Sequence, residues 1–496
     1  MWGELFSGLE MILRLDTVAM TAAGLVLGIF VGSLPGFTTV MAMAVLLPIS
    51  FFLDPLVGIP FLIGVYKGGI YGGSIPAILI GVPGTGASVA TTFDGPALTK
   101  QGKSKKALEM ALYASVFGDM ASSIFTIFLI GPIALLAMRI GPPELAVVLA
   151  LSMAIIAATS STSLTKGLFM LFIGMFIALV GQDPVHGVNR FTFDIFALQA
   201  GIDLLPMIIG LFAIPEILLA VEDKVSRVRA TKPEGESLTL DELKASRRTI
   251  LRSTAMGGGI GAIPGVGQVV AAFMGYAAAK RASAHPETFG QGDLDGVAAP
   301  EAANNAVNGP TMVPLLTLGI PGDNITAILL GAFVAQGLRP GPQLFSTDAA
   351  VIYALLGSMV IACLLLLVLG KLLIPVFAKV VSIPKAYMVP LTLVFAVAGT
   401  YVYRSNPMDL VFLMAFGLFG YGARKLAFDV TPLVMGFILM GPFEYAVSQT
   451  LSLSQGNVAG YVASERPVTL ILLALIVAGL LFMIFRRKSG QSAVSA

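Results

Sequence analysis

The sequence predicts an all-α polytopic membrane protein of about eleven transmembrane helices in two inverted repeats, with re-entrant hairpins and Pro-Gly-broken helices. Three observations predict it. The 496 residues are 56% hydrophobic and only 12% charged, with a mean hydropathy of +0.90. A soluble domain carries about a quarter charged residues. Long apolar runs such as Ala349–Leu369 recur, unlike the short alternating segments of a transmembrane barrel. Finally, two Pro-Gly motifs each occur twice, in the same order. Gly32-Ser33-Leu34-Pro35-Gly36 returns 229 positions later as Gly261-Ala262-Ile263-Pro264-Gly265. Pro76 and Gly81-Val82-Pro83-Gly84 return 238 positions later as Pro314 and Gly319-Ile320-Pro321-Gly322.

The first repeat covers 1–221. Met1–Asp16 contains Glu4, Glu10 and Asp16 and does not read as a cleaved signal peptide. Asp16–Ser33 and Phe37–Leu53 flank the first Pro-Gly motif. In the second copy the corresponding Ser253–Ile263 and Val266–Lys280 are too short to cross about 30 Å of hydrocarbon. Both pairs are therefore read as hairpins that return to the side they entered from. Leu56–Leu98 and Val297–Leu338 each cross once, as a helix broken at the second motif. Four apolar runs follow in each half: Ala107–Ala137, Glu144–Ala158, Gly167–Val180 and Asp203–Val221, then Ala349–Ala378, Ala386–Val402, Asp409–Gly422 and Val430–Val447. Between the halves, 222–252 is charged and reads as a cytoplasmic linker. Thr239-Leu240-Asp241-Glu242 within it is a capping box that opens a short helix. The second repeat covers 253–449. Residues 450–496 hold a final helix, Val468–Phe485, and a basic tail.

Charge supports this topology. Five crossings per half place the halves in opposite orientations. With the linker inside, twenty-three of the thirty Lys and Arg residues fall on the inner side, six fall outside, and Lys67 lies within the membrane. That bias puts the N-terminus outside and the C-terminus inside. Other classes are excluded. The net charge of +2 implies no nucleic-acid partner, and the single Cys363 makes no internal disulfide. No phosphate-binding loop with its Lys-Ser/Thr is present, nor a Gly-x-Ser-x-Gly nucleophile motif. No enzymatic activity and no cofactor are expected.

The chemistry concentrates at the breaks. Irregular backbone survives at membrane depth only where protein buries it or where it lines a wet cavity. Helix N-termini freed there suit carboxylates, and freed carbonyls suit Na⁺. Around the breaks the sequence offers Ser33, Pro35, Gly36, Thr38, Tyr71, Ser74, Gly84, Thr85, Gly265, Asn305 and Gly322 as candidate substrate-binding residues. Lys67 joins them as the one charge between Asp54 and Asp94. Its ammonium should find a carboxylate, on Glu301, on Asp323 or on the substrate, because an unpaired one costs several kcal/mol. Glu301, Asn304 and Asn308 are spaced to share a helix face. With Thr311, Asp323 and Asn324 they are the candidate coupling site for Na⁺ or H⁺. Asp119 and Asp183/His186 are read as structural. The copies differ, since Lys67 corresponds to Asn305 and Thr85 to Asp323. The expectation is anion recognition biased to the first copy and cation coupling to the second.

Val31-Gly-Ser-Leu-Pro-Gly36, Tyr71-Gly-Gly-Ser-Ile-Pro76, Gly81-Val-Pro-Gly84, Ala299-Pro-Glu-Ala-Ala-Asn-Asn-Ala-Val-Asn-Gly309 and Leu318-Gly-Ile-Pro-Gly322 resemble the TctA family over nearly the whole chain. That family is the large membrane subunit of the tripartite tricarboxylate transporters. The resemblance implies a secondary transporter of the bacterial inner membrane for citrate-like di- or tricarboxylates, driven by Na⁺ or H⁺. It also implies two partners, a small TctB-like membrane subunit and a TctC-like periplasmic binding protein. The competing reading is a gated anion channel or scaffold subunit, which would not accumulate substrate against a gradient.

Overall fold

Apolar composition and sparse charge give a chain of helices, and the computed structural model describes residues 2–159, 163–183, 186–222 and 233–474 of it. The far part of the expected final helix, and the basic tail, lie outside the described residues. Among those described, six helices are long and apolar enough to cross a membrane: Leu15–Gly32, Pro55–Ile80, Ser104–Ala137, Pro142–Thr159, Leu204–Glu222 and Ala349–Val380. The only described strands are the two-residue pair Gly181–Gln182 and Asn189–Arg190. This is a multi-pass helical membrane protein.

The chain divides into two compact units, each drawn from both halves of the sequence. One comprises Met1–Ala137 with Asp203–Val430, the other Met138–Ile202 with Thr431–Ala496. In the smaller unit the Thr431–Leu453 helix packs on Pro142–Thr159 and Leu164–Ala178. A side chain on Gly174 or Gly436 would strike the backbone of the facing helix, at Leu433 and Leu171 respectively.

The larger unit holds every candidate site residue. Its tightest contact follows from glycine spacing. Gly24, Gly28 and Gly32 recur every four residues on Leu15–Gly32, and so do Gly64, Gly68 and Gly72 on Pro55–Gly72. Residues four apart share a helix face. A Cβ on Gly28 would run into the Val65 carbonyl oxygen, and one on Gly68 into that of Leu25. The two backbones therefore touch, as small residues at membrane helix interfaces permit. The second half repeats the contact. A Cβ on Gly257 would strike the Ala303 carbonyl oxygen, and one on Gly261 would lie 2.7 Å from that of Val307. These positions stand 229 residues after Gly28 and Gly32, and 238 after Val65 and Gly69, the offsets of the two Pro-Gly motifs.

The breaks also share their geometry. Ser74–Ile80 and Met312–Leu318 are seven residues each and end on left-handed glycines, Gly81 at φ +72° and Gly319 at φ +70°. Only glycine takes that conformation without a Cβ clash. The chain then restarts as a 3₁₀ helix, Gly86–Phe93, after Thr85 and as an α-helix, Asn324–Ala335, after Asp323, each opened by a capping box. At the first motifs Gly36 and Gly265 are left-handed too, at φ +87° and +81°. The helix after Gly36, Thr39–Ser50, has 12 residues, about 18 Å at 1.5 Å per residue, too short to span.

Asp94 closes the first broken segment. One carboxylate oxygen accepts the backbone N–H groups of Gly290, Gly292 and Asp293 at 2.8–2.9 Å, and the other accepts the Tyr276 hydroxyl at 2.9 Å. The residue thereby fixes the loop that leads into the Leu294–Asn305 helix.

The described part of the linker is a strap on the start of Ser104–Ala137. The Thr239–Glu242 capping box is present and opens the Leu240–Ala245 helix. Glu242 also accepts from Lys106 at 2.8 Å, Glu109 accepts the Leu238 N–H at 2.7 Å, and Ser104 accepts the Glu234 N–H at 2.8 Å. The Lys106 ammonium and the Thr239 N–H hold the Glu242 carboxyl down to about 2. Because the docked value lies below the free one, this contact is fully present above the ordinary glutamate range, about 4.3, and is lost as pH falls through about 2. Amide protection across 238–246 is expected to follow that course in hydrogen exchange, and Glu242→Ala should abolish it at neutral pH.

Candidate functional site

Four polar clusters form around the breaks, and residue chemistry sorts them. Ser33, Thr38 and Ser74 are bonded to nearby backbone, and Thr85 to the Ser88 hydroxyl. Ser33 donates to Ile29 at 2.6 Å and Ser74 to Tyr71 at 2.7 Å, while Thr38 accepts from the Met41 N–H at 3.2 Å. The Thr85 N–H donates to the Ser88 hydroxyl at 3.1 Å. These short polar side chains steady the turns by the local bonding such residues favour.

The paired breaks meet within each half. In the second, the Gly265 N–H donates to the Gly322 carbonyl at 2.8 Å. In the first, a Cβ on Gly84 would strike the Gly32 carbonyl, next to Ser33-Leu34-Pro35-Gly36. Gly322 is likewise confined, since a Cβ there would sit 3.0 Å from Thr311.

Lys67 corrects the sequence reading. Its ammonium is fully buried and meets neither Glu301 nor Asp323. It pairs with Asp119 of the Ser104–Ala137 helix and donates to Ser123 Oγ at 3.3 Å and Cys363 Sγ at 3.4 Å. Three contacts match the three hydrogens of an ammonium, so the group is fully engaged. The sequence held the clue. Ser115, Asp119, Ser122, Ser123 and Thr126 recur on one face of an apolar helix, and all are buried. Two isolated charges in apolar runs neutralise each other, since either alone at membrane depth is costly.

Glu301 forms the next cluster. It accepts from Thr91 Oγ1 at 2.5 Å and Ser115 Oγ at 3.2 Å. Asn305 Nδ2 donates to Ser115 Oγ at 2.9 Å, to the Glu301 carbonyl at 3.0 Å and to Asn304 Oδ1 at 2.5 Å. All these residues are fully buried.

The expected face shared by Glu301, Asn304 and Asn308 is also corrected. The helix ends at Asn305, and Asn308 lies in the turns that follow. Pro310 supplies no N–H for the Ala306 carbonyl, which weakens helical continuation past Asn305. Asn308 instead accepts from Gln268 Nε2 at 2.8 Å, and Gln268 also reaches the Tyr66 hydroxyl at 2.9 Å. Tyr66 lies 3.4 Å from Asp323 Oδ2, and Asp323 Oδ1 caps its helix through the Thr326 N–H at 2.8 Å. Thr311 donates to the Asn308 carbonyl at 3.0 Å, and Asn324 is the first residue of the capped helix.

Among the buried donors of these clusters that meet no hydrogen-bond partner are Tyr71 Oη, Asn304 Nδ2 and Asn308 Nδ2. Buried polar groups are nearly always paired, so each such donor calls for an explanation. All three are neutral, and two come from residues that the sequence assigned to a cation.

The family model described as the tripartite tricarboxylate transporter TctA family matches residues 18–435. The chain belongs to the TctA family. The site of this TctA-family chain thus lies wholly inside the matched region, and the family is one of transporters rather than enzymes. Two proteins of Agrobacterium vitis are similar to it. The uncharacterized 52.8 kDa protein in the TAR-I ttuC' 3' region is 34% identical over 469 residues, covering 94% of this chain and 93% of the relative. The uncharacterized protein in the TAR-II ttuC' 3' region is 35% identical over 217 residues, covering 44% of this chain and 90% of the relative. No solved structure matches the TctA-family chain.

Proposed function

We propose that this chain is the permeation subunit of a secondary transporter that imports a citrate-like di- or tricarboxylate with Na⁺ or H⁺. The observation that carries the reading is the set of unpartnered buried donors, Tyr71 Oη, Asn304 Nδ2 and Asn308 Nδ2, beside the breaks of a TctA-family protein. Neutral N–H and O–H groups in a dry site suit carboxylate oxygens, which accept strongly. Lys67 sets the charge balance of the surroundings through Asp119 and does not anchor the substrate.

Two inverted repeats, eleven crossings and paired hairpins remain our topology. The recurrence of one helix contact and one break geometry at the motif offsets supports it, as does the inward bias of Lys and Arg. The N-terminus then lies outside the bacterial inner membrane and the C-terminus inside. A periplasmic binding protein delivers the anion, and a small membrane subunit completes the complex.

Labelled citrate and related carboxylates, offered to proteoliposomes under an imposed Na⁺ or proton gradient, test this. With both partners present, uptake should exceed the equilibrium level, and omitting the binding protein should abolish it. Equilibration without accumulation makes the protein a channel. No carboxylate flux at all sinks the reading.

A further inference from the structure

The smaller unit presents an apolar loop to its surroundings. Val188, Phe191, Phe193, Ile195 and Phe196 are all exposed, Phe193 at 80% and Phe196 at 85%. Phe191 and Phe193 hold left-handed backbone, at φ +52° and +48°, a conformation that bulky side chains rarely adopt. Such strain persists only where the surrounding structure imposes it, and it gathers at functional segments. Here the hold comes from Arg190, whose guanidinium grips Glu444 of the Thr431–Leu453 helix at 2.6 and 3.1 Å. The loop is thus fixed in a shape that leaves its rings bare.

What lies against these rings follows from the helix before them. Leu164–Ala178 buries Gly167, Met170, Leu171 and Gly174 and packs on Thr431–Leu453. Its Phe169, Phe172 and Phe176 are exposed. They stand three and four residues apart, and so share one face. On an apolar helix of a multi-pass membrane protein, that face meets acyl chains. Phe191 lies against the last of the three, Phe176, with ring centroids 5.0 Å apart. The lipid-facing row therefore continues into the loop.

Length gives a second, independent reason. The helix has 15 residues, about 22 Å at 1.5 Å per residue, against about 30 Å of hydrocarbon. The chain beyond its end must cover the difference, and bare phenyl rings can do so. A face built for a protein partner favours Tyr, Trp and Arg inside a polar rim. These rings carry no hydroxyl and no indole N–H. Asp194, exposed between Phe193 and Ile195, sets the depth. The backbone stays at the level of the headgroups, where water satisfies it, and the rings reach into the chains.

We infer that the loop 188–196 is a membrane-inserted wedge. Phe191, Phe193 and Phe196 occupy the upper acyl-chain region of one leaflet and complete the hydrophobic span of the short Leu164–Ala178 helix. In the topology proposed above that leaflet is the outer one, but insertion itself does not depend on that choice.

The chain has one tryptophan, Trp2, so Trp2→Phe gives a dark background for fluorescence. Phe193→Trp and Phe196→Trp are each added to it, and the full-length protein is placed in phosphatidylcholine nanodiscs. The emission of both should be blue-shifted. Most of it should be lost when the acyl chains are brominated near their headgroup end, and aqueous iodide should have little effect. Leu240→Trp, on the exposed linker helix, should show the reverse. Emission from Phe193→Trp and Phe196→Trp that iodide quenches as freely as that of Leu240→Trp, without response to brominated lipid, overturns the inference and leaves the loop to a protein partner. Should either variant fail to fold, Val188→Trp on the same loop is read in the same way.

Discussion

Lys67→Met should lower the stability of the folded protein by about 3–5 kcal/mol, because it strands Asp119 as an uncompensated buried charge. That is a large share of the total of an ordinary protein, and little monodisperse protein should be recovered. Asp119→Leu alone should fail for the mirror reason. The double variant Lys67→Met/Asp119→Leu removes both charges and should recover most of the loss. Size-exclusion profiles and detergent melts of the four proteins form a double-mutant cycle. Additive losses would show that the pair does not hold the Pro55–Gly72 helix to Ser104–Ala137. Uptake by the double variant then reports whether the ion pair serves transport as well as folding.

Gly28→Ala and Gly257→Ala should each cost about 3 kcal/mol or more, at the upper end of overpacking losses, because the added methyl meets a backbone carbonyl that no rotamer change can move. The molecule supplies its own control. Gly258 adjoins Gly257 on the same helix, yet a Cβ there meets nothing within 4 Å. Gly258→Ala should be neutral or stabilising, by up to about 1 kcal/mol from helix propensity. Thermal melts of Gly257→Ala and Gly258→Ala decide it, and equal behaviour of the two would remove the close contact as a determinant of the fold.

Much of the architecture was legible in the sequence for physical reasons. Apolar length identifies spanning helices, and Gly-x-Pro-Gly identifies where they break. The Thr239–Glu242 box and the left-handed Gly81 and Gly319 follow from local chemistry alone. The site was harder. Which residues are polar near the breaks can be read, but who meets whom cannot, because the partners lie far apart in sequence. Lys67 and Asp119 are 52 residues apart, and Thr91 and Glu301 are 210 apart. Asn308 shows a second limit. Its spacing fits a helix face, yet that helix ends at Asn305, three residues before it. The glycine seam was visible as a four-residue repeat, but its partner helix was not.

The Asp94 clasp sets an order of events during synthesis. Its backbone partners begin 196 residues downstream, at Gly290. At about 5–20 residues per second, a ribosome takes roughly 10–40 s to make them. Through that interval the nascent first half carries a carboxylate whose native donors do not yet exist. Closure of the broken segment is therefore a late assembly step, reached once the loop 290–293 has left the ribosome.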